Sequence, residues 1–441
     1  MTRRRGGGKA VAGAVAMSAV VVLGAQTWTA GQARAAGQPA PYTFAEGAQR
    51  TKGAASTSEA PRLTAGATYR DSIDRGEKLV YRIDLDAERD AYVSAVAVPE
   101  PGTKVAFADG LEVSLQDRDG YECSSNDSKF GSAEFPRPLA AYAHRTIEKD
   151  RTSCQKADSY YVVIERSASD DKEAAASPKP WELEIRHQIE PKVKEVGPTA
   201  APSAWPSASP PPPAGGPRER PGGAGFFDAT GLTQGEWTDR IEPGQSRFYR
   251  VPVDWGQQIF ASADLGSADL GSSAGQGYVG NALSMTLFNP MQGVVGSADS
   301  VSYDGKQKAA ALDPLPPVRY ENRFDSSAKF EDMRFAGWYY LRVSLSPEVG
   351  EEFGKKPYGL TLRVNVRGEA RPAPAYDGPA GIFAVTQDDK EQAASGQSGS
   401  EAERSDTMKV VAAAGIGSGT VLLLGLGVWT LLARRRAAPT G

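Results

Sequence analysis

The chain has 441 residues, room for two or three domains of ordinary size. Its net charge of −4, from 50 Lys and Arg against 54 Asp and Glu, excludes a nucleic-acid binder held by phosphate electrostatics. With 48 Gly and 31 Pro beside an ordinary charged fraction, it reads as folded domains joined by irregular tracts.

The N-terminus reads as an export signal. Arg3, Arg4, Arg5 and Lys9 form a positive head, an Ala/Val-rich run follows over about residues 10–25, and Ala33-Arg34-Ala35 supplies an A-x-A cleavage site. Residues 1–35 are therefore expected to be a signal peptide. Arg3-Arg4 suits twin-arginine export, but Gly6-Gly7-Gly8 follow where that signal carries a hydrophobic residue, which favours general secretion. Residues 36–61 are expected to be disordered.

A long internal repeat comes next. "DSIDRGEKLVYRIDLD" (71–86) returns as "DRIEPGQSRFYRVPVD" (239–254), with Ile73 on Ile241, Gly76 on Gly244, Tyr81 on Tyr249 and Arg82 on Arg250. In the same order, "AYVSAVAV" (91–98) lies over "IFASADLG" (259–266) and "LEVSLQD" (111–117) over "LSMTLFN" (283–289). "SYYVVIE" (159–165) lies over "WYYLRVS" (338–344), and "PWELEIR" (180–186) over "PYGLTLR" (357–363). The offset drifts only between blocks, as it does when insertions fall in loops. Leu79, Tyr81, Ile83 and Leu85 alternate with Lys78, Arg82 and Asp84, the period of a strand with one face on a core and one in water. Pro252 sits in the outward register of its strand, which an edge strand tolerates. No long amphipathic helix interrupts either copy. The pattern predicts an all-β chain with two tandem antiparallel β-sandwiches, at 62–189 and 226–369.

These blocks resemble the bacterial pre-peptidase C-terminal domain. The resemblance rests on Gly244 with Tyr249-Arg250-Val251-Pro252-Val253, then Gly337-Trp338-Tyr339-Tyr340-Leu341-Arg342-Val343, then Tyr358-Gly359-Leu360-Thr361-Leu362. The first copy departs from it, with Asp158 where the second has Gly337 and Trp181 in place of Tyr358. The resemblance implies jelly-roll-like sandwiches of a kind appended to secreted proteases, with relatives that bind carbohydrate, collagen or calcium. The chain carries no peptidase domain of its own.

Residues 190–225, including "SASPPPPAGGPRERPGGAG", read as a Pro-rich linker that holds the copies apart and lets them fold independently. Residues 370–409, rich in Ser, Gly, Gln and charge, read as a flexible stalk. The uncharged run "VVAAAGIGSGTVLLLGLGVWTLLA" (410–433) is long enough for a transmembrane helix. Lys409 borders it on one side and Arg434-Arg435-Arg436 on the other, which puts the tail 434–441 in the cytoplasm and the bulk of the chain outside. Within the run, Gly415 and Gly419 form G-x-x-x-G, a candidate helix-packing motif for self-association or a partner helix.

Signs of chemistry are few. Residues 271–275 match G-x-S-x-G, but both histidines, His144 and His187, precede it. The segment also continues a tandem S-A-D-L-G (262–266 and 267–271), which reads as a duplicated loop. The histidines lack metal-ligand spacing, and Asp117-Arg118-Asp119-Gly120 has Leu115 where a calcium loop needs an acid, so it reads as a hairpin turn. No catalytic residue, metal ligand or cofactor is expected. Cys123 and Cys154, the only cysteines, are expected to form a disulfide in an exported chain. Trp338, Tyr340 and Arg342 share the face opposite Tyr339, Leu341 and Val343, and form the candidate binding surface unless a loop or the sheet edge covers them. The expected function is non-catalytic binding of an envelope polymer or extracellular protein, or scaffolding, at the bacterial cell membrane. The alternative is an accessory subunit that meets its complex through the transmembrane helix. A hydrolase, or a hydrolase accessory, is the third reading.

Overall fold

Alternating apolar residues build one strand set per repeat. In the first copy the strands are β1 (Gln49–Arg50), β2 (Thr68–Ile73), β3 (Lys78–Leu85), β4 (Asp90–Val98), β5 (Gly110–Gln116), β6 (Glu122–Lys129), β7 (Leu139–Arg145), β8 (Asp158–Ser167) and β9 (Trp181–Glu190). In the second they are β10 (Arg218–Glu219), β11 (Thr230–Gly231), β12 (Gly235–Ile241), β13 (Ser246–Val253), β14 (Gln258–Leu265), β15 (Val279–Phe288), β16 (Val294–Tyr303), β17 (Lys308–Ala311), β18 (Gly337–Leu345) and β19 (Tyr358–Arg367). Short helices accompany the second copy, among them α1 (Ala328–Glu331), α2 (Glu348–Phe353) and α3 (Gln387–Ser395). The computed structural model describes residues 40–149, 151–167, 177–194, 197–268, 277–405, 407–408 and 426–430.

Each copy is a two-sheet sandwich, and the two share one topology. Sandwich 1 pairs the sheet β1-β2-β9-β4-β7 with β3-β8-β5-β6; sandwich 2 pairs β10-β12-β19-β14-β17 with β11-β13-β18-β15-β16. The repeated blocks occupy equivalent strands, so β2 answers to β12, β4 to β14 and β8 to β18. Ile73, Val93 and Ile185 meet Leu79, Leu111 and Ile164 in the first core; Trp237, Ile259 and Leu362 meet Tyr249, Leu287 and Tyr339 in the second. At β13, the parallel partner β11 covers only Tyr249 and Arg250, which leaves Pro252 on an open edge. A disulfide joins Cys123 on β6 to Cys154 ahead of β8, with Cα atoms 5.8 Å apart.

The sandwiches do not stand apart on a spacer. The outer face of β4 and β7 packs against the outer face of β13, β15 and β18. Val96 and Ala140 join Phe248 and Phe288 in one apolar cluster, and Tyr92 and Tyr142 join Met291 and Phe335 in another. Ser94 donates to Gln292 Oε1 at 2.9 Å across the joint. At Gly293 a Cβ would run into the Tyr142 ring, so the backbone approaches the neighbouring sandwich where no side chain stands in the way. The expectation that the linker holds the copies apart is thereby corrected: both outer faces are apolar enough to bury each other.

The described residues of three tracts read as irregular also pack against the fold. From residue 40 the N-terminal segment is placed against the fold: β1 pairs with β2, and the Tyr42 ring meets Phe44 and Phe248 at 4.8 and 5.9 Å. The Pro-rich linker lies along sandwich 2, where Trp205 packs edge-on to Phe330 at 5.7 Å and Gln258 donates to Pro206 O at 2.8 Å. Arg218 of β10 and Arg220 just after it stack on Trp237 at 4.0 and 4.8 Å. The stalk folds back across both sandwiches: Tyr376 donates to Glu190, Phe383 is buried against Tyr92, and α3 packs on β11 and β13. A few aromatic anchors in each tract supply the burial that their average composition hides.

The signal peptide, the G-x-S-x-G segment 271–275 and the Gly415/Gly419 motif lie outside the described residues. Of the run 410–433, only 426–430 is described; it is helical, with Trp429 and Val428 exposed. Among the described residues no helix is long and apolar enough to cross a membrane.

Candidate functional site

Strand alternation sends Tyr339, Leu341 and Val343 into the core of sandwich 2, where all three are buried, and turns Trp338, Tyr340 and Arg342 outward. That outward face meets sandwich 1 and the C-terminal segment rather than open water. Arg342 is buried and donates to Pro138 O and, at 2.8 Å, to Thr286 Oγ1. Tyr340 packs edge-on to Phe226 at 5.2 Å. Trp338 donates from Nε1 to Asp389 Oδ1 at 2.7 Å, and the Arg250 guanidinium lies 4.0 Å from its ring centroid. The free aromatic stripe is thus corrected: Arg342 belongs to the joint, while Trp338 and Tyr340 stay half-buried because a cleft remains beside them.

That cleft has a volume of about 210 Å³ and is built from four parts of the chain. Trp338, Tyr340 and Arg250 form one wall; Thr68, Glu184 and Arg186 of sandwich 1 form another; Ala45 lies on the N-terminal side; Asp389, Gln392 and Glu403 close it from the C-terminal segment. Thr68 and Arg186 are register partners on β2 and β9, so both side chains leave the same face of that sheet.

α3 is held there by its own cap. Thr386 accepts from Asp389 N, and the Asp389 carboxylate accepts from Thr386 N at 2.8 Å, a reciprocal capping box. The same carboxylate takes the Trp338 indole proton, so one residue starts the helix and ties it to the aromatic wall. Arg250 Nη2 donates to Gln392 Oε1 at 2.9 Å and to Gln397 O at 3.1 Å, which fixes the guanidinium over the indole.

Burial shapes the charges. Glu184 accepts from Ala45 N at 2.9 Å and from the Tyr42 hydroxyl at 3.4 Å, yet loss of water pushes its carboxyl above the usual range. Glu403 is raised for the same reason, and burial lowers Arg250. The cleft therefore offers an aromatic edge, guanidinium donors and carboxylates of weakened acidity, a set suited to holding a polar, hydroxyl-bearing or amide-bearing ligand by hydrogen bonds and ring contact. Among the described residues, no group of His, Cys, Asp and Glu is arranged to hold a metal ion.

The remaining motifs take structural places. His144 sits on β7 beside the Tyr92 and Tyr142 rings, with Nε2 3.8 Å from Glu331; burial, with Arg334 nearby, holds it well below the usual histidine range. His187 is buried in sandwich 1 with Nδ1 3.2 Å from Leu63 O. Asp117 Oδ1 accepts from Asp119 N and Tyr121 N, and Gly120 has φ 84°, so Asp117–Gly120 form the β5–β6 turn. Sequence reasoning missed Arg250, Glu184 and Asp389. The signal for Asp389 was present as T-x-x-D ahead of a helical run that ends at Gly396.

No family model matches the chain, and no curated protein matches it. Solved structures similar to parts of it include three at low identity. The CUB1-EGF-CUB2 domain of human MASP-1/3 shows 6% identity and a TM-score of 0.15, over 68% of this chain and 99% of that one. The tandem CBM22-1-CBM22-2 domain of Paenibacillus barcinonensis Xyn10C shows 10% identity and a TM-score of 0.17, over 69% and 92%. Tripeptidyl peptidase 2 shows 8% identity and a TM-score of 0.20, over 76% of this chain and 28% of that one. At such TM-scores none of the three bears on function.

Proposed function

We propose that the chain is a membrane-anchored, non-catalytic binding protein of the bacterial cell envelope, and that the cleft between its sandwiches holds the ligand. The sandwiches are read as pre-peptidase C-terminal-like domains, the run 410–433 as the anchor, and everything before it as an ectodomain. The observation that carries the reading is the half-buried wall of Trp338 and Tyr340. The joint consumes Arg342 and the rest of that outer face, but it leaves these two rings beside a cleft of about 210 Å³ with Arg250, Arg186 and Glu184 around it. A ligand is expected to be a segment of an envelope polymer or an extracellular protein, held by stacking and hydrogen bonds. Exposed Val428 and Trp429 on the helical residues 426–430 support the anchor.

Filling the cleft tests this without touching the joint. Thr68 lines it from the sheet rim, so Thr68→Trp should block entry while the fold is kept. An ectodomain of residues 36–407 carrying Thr68→Trp should capture its ligand from envelope extract on the order of tenfold less well than the parent, the loss of one good contact. Equal capture would exclude the cleft. Capture by neither would favour a subunit that works through its transmembrane helix, for which Gly415 and Gly419 are the candidate contacts.

A further inference from the structure

A second cavity, of about 240 Å³, lies in the mouth between the two sheets of sandwich 1 and shares no lining residue with the cleft. It opens where β3 ends and the chain turns through Asp86 and Arg89 into β4. Arg145 closes β7 and His187 lies on β9, with β4 running between them: Ala91 is opposite Arg145 and Val93 is opposite His187. Ala91 and Val93 are core residues, so both polar side chains project between the sheets.

Both are almost fully buried, at 1% and 2% exposure, and both are incompletely bonded. Arg145 Nη2 donates to Asp86 O at 2.6 Å, and the guanidinium carbon lies 5.4 Å from the Tyr160 ring centroid. Its Nε and Nη1 have no partner, and among the described residues no carboxylate pairs with it. His187 gives its Nδ1 proton to Leu63 O, so Nε2 presents a lone pair, and it too has no partner. Burial pushes this imidazole down to about 4, so the ring is neutral at envelope pH.

The other charges at the mouth are spoken for. Arg62 Nε pairs with Asp84 at 2.9 Å, and Arg89 pairs with Asp86. Arg62 and Arg89 are thus matched by Asp84 and Asp86, while Arg145 has no salt-bridge partner among the described residues. A buried guanidinium with two idle donors, and an imidazole with an idle acceptor, destabilise the fold unless something answers both.

We propose that this mouth binds a phosphate group, free or as a monoester, with a negative oxygen on Arg145 and its P–OH donated to His187 Nε2. The pattern of donors and acceptor selects this chemistry. A plain carboxylate or sulfate brings negative oxygens but no proton for the histidine. A neutral hydroxyl compound satisfies the histidine but leaves the guanidinium uncompensated. A phosphate monoanion carries both functions on one compact centre.

The chain has two histidines, so ring-nitrogen NMR of the full-length protein in detergent, labelled at histidine, reads the site directly and carries its own control. Inorganic phosphate at about pH 6 should shift the His187 nitrogens saturably and leave His144 unmoved. Sulfate should act at least roughly tenfold more weakly for want of the donated proton, and Arg145→Gln should abolish the response. Glycerol phosphate forms a second arm: a response tighter than that of inorganic phosphate assigns an esterified group on a polymer or lipid, and a weaker one assigns the free ion. Should Arg145→Gln lose the parent's cooperative thermal unfolding and so prove misfolded, Arg145→Lys keeps the charge, loses the fork, and should bind about tenfold less tightly. The proposal is overturned by no saturable shift with either phosphate, by both histidines moving together, by sulfate binding equally, or by an undiminished response in the Arg145 variants.

Discussion

Arg323 is the place to test whether the two sandwiches form one folding unit. It sits in a short turn of helix between β17 and β18 of sandwich 2 and reaches into sandwich 1, where Nη1 meets Asp90 at 2.9 Å and Nη2 meets Glu190 at 3.2 Å. The three side chains are 7%, 10% and 1% exposed, so water screens the cluster little. Glu190 also accepts from the Tyr92 and Tyr376 hydroxyls, each at 2.7 Å, which ties β4 and the C-terminal segment into the same cluster. Arg323→Met would leave two buried carboxylates facing each other without their cation. Breaking a buried pair in this way costs about 3–5 kcal/mol, far above the ~0–1 of a surface pair. The pH dependence carries a sign. Burial already raises Asp90, with Arg323 the main opposing influence, so the variant should raise it further. A folded-state value above the unfolded one gives stability that is complete below the unfolded value and lost as pH rises. The penalty of Arg323→Met should therefore be largest near neutrality and shrink toward about pH 4. Urea unfolding followed by tryptophan fluorescence measures both. Adding Asp90→Asn and Glu190→Gln to the variant should recover most of the loss, because no buried charge then lacks a partner. A penalty under about 0.5 kcal/mol, or one that is equal at both pH values, would refute the reasoning and return the sandwiches to independence.

Asp332, buried beside Arg334 and hydrogen-bonded by Tyr142, has its carboxyl pushed up to about 7 by loss of water. Its contribution to stability should fall as pH rises between about 4 and about 7, with a slope of up to about 1.4 kcal/mol per pH unit for one proton. Asp332→Asn should flatten that slope in denaturation measured across the window; because His144 works in the opposite sense below about 6.5, the informative quantity is the difference between variant and parent, and identical slopes would refute it. Removing the Cys123–Cys154 bridge by Cys123→Ser with Cys154→Ser opens a loop of sequence separation 31. The loss should be ~3–4 kcal/mol of sandwich 1 stability through the unfolded chain, and an unchanged unfolding midpoint would show that native strain offsets it.

The repeat was legible because it is written in core residues, and a strand's period of two survives divergence of everything outside it. Alternation also marked Trp338, Tyr340 and Arg342 as a separate face. What it does not say is which neighbour covers such a face. The answer was partly visible in β4, where "AYVSAVAV" is apolar on both sides, with Tyr92, Val96 and Val98 on the face away from the core. A strand that avoids water on two faces needs two neighbours. The tracts outside the repeats were harder to read. Tyr42, Trp205, Tyr376 and Phe383 are single anchors in polar, Pro-rich or Gly-rich sequence, and a composition average weighs them too little. The cleft was legible only in its aromatic wall. Its opposite wall comes from β2 and β9, more than a hundred residues away in the chain, and long-range docking leaves no local pattern.

Two copies of one sandwich joined through different faces raise a problem of closure. A head-to-tail joint between like units can in principle repeat, adding a third copy to the open faces and so on. The positions where the copies diverge remove that possibility. Val96 on the joining face of β4 corresponds to Asp264 on β14, and Asp264 is bound there by Arg363, which also pairs with Glu236 at 3.1 Å. The face that would receive the next unit thus carries a charged network where sandwich 1 carries an apolar patch. On the other side, Trp338 and Arg342 of β18 correspond to Ser159 and Val163 of β8, so sandwich 1 lacks the ring and the guanidinium that shape the joint. The N-terminal segment bridges from Ala54 to Val80 and from Arg62 to Arg82 on β3, next to β8, occupying the edge of that sheet as well. Divergence after duplication has therefore made one pair of complementary faces and blocked the other pair. The indole of the cleft belongs to sandwich 2 for the same reason: Tyr340 and Arg250 have counterparts in Tyr161 and Arg82, but Ser159 stands where Trp338 completes the aromatic wall.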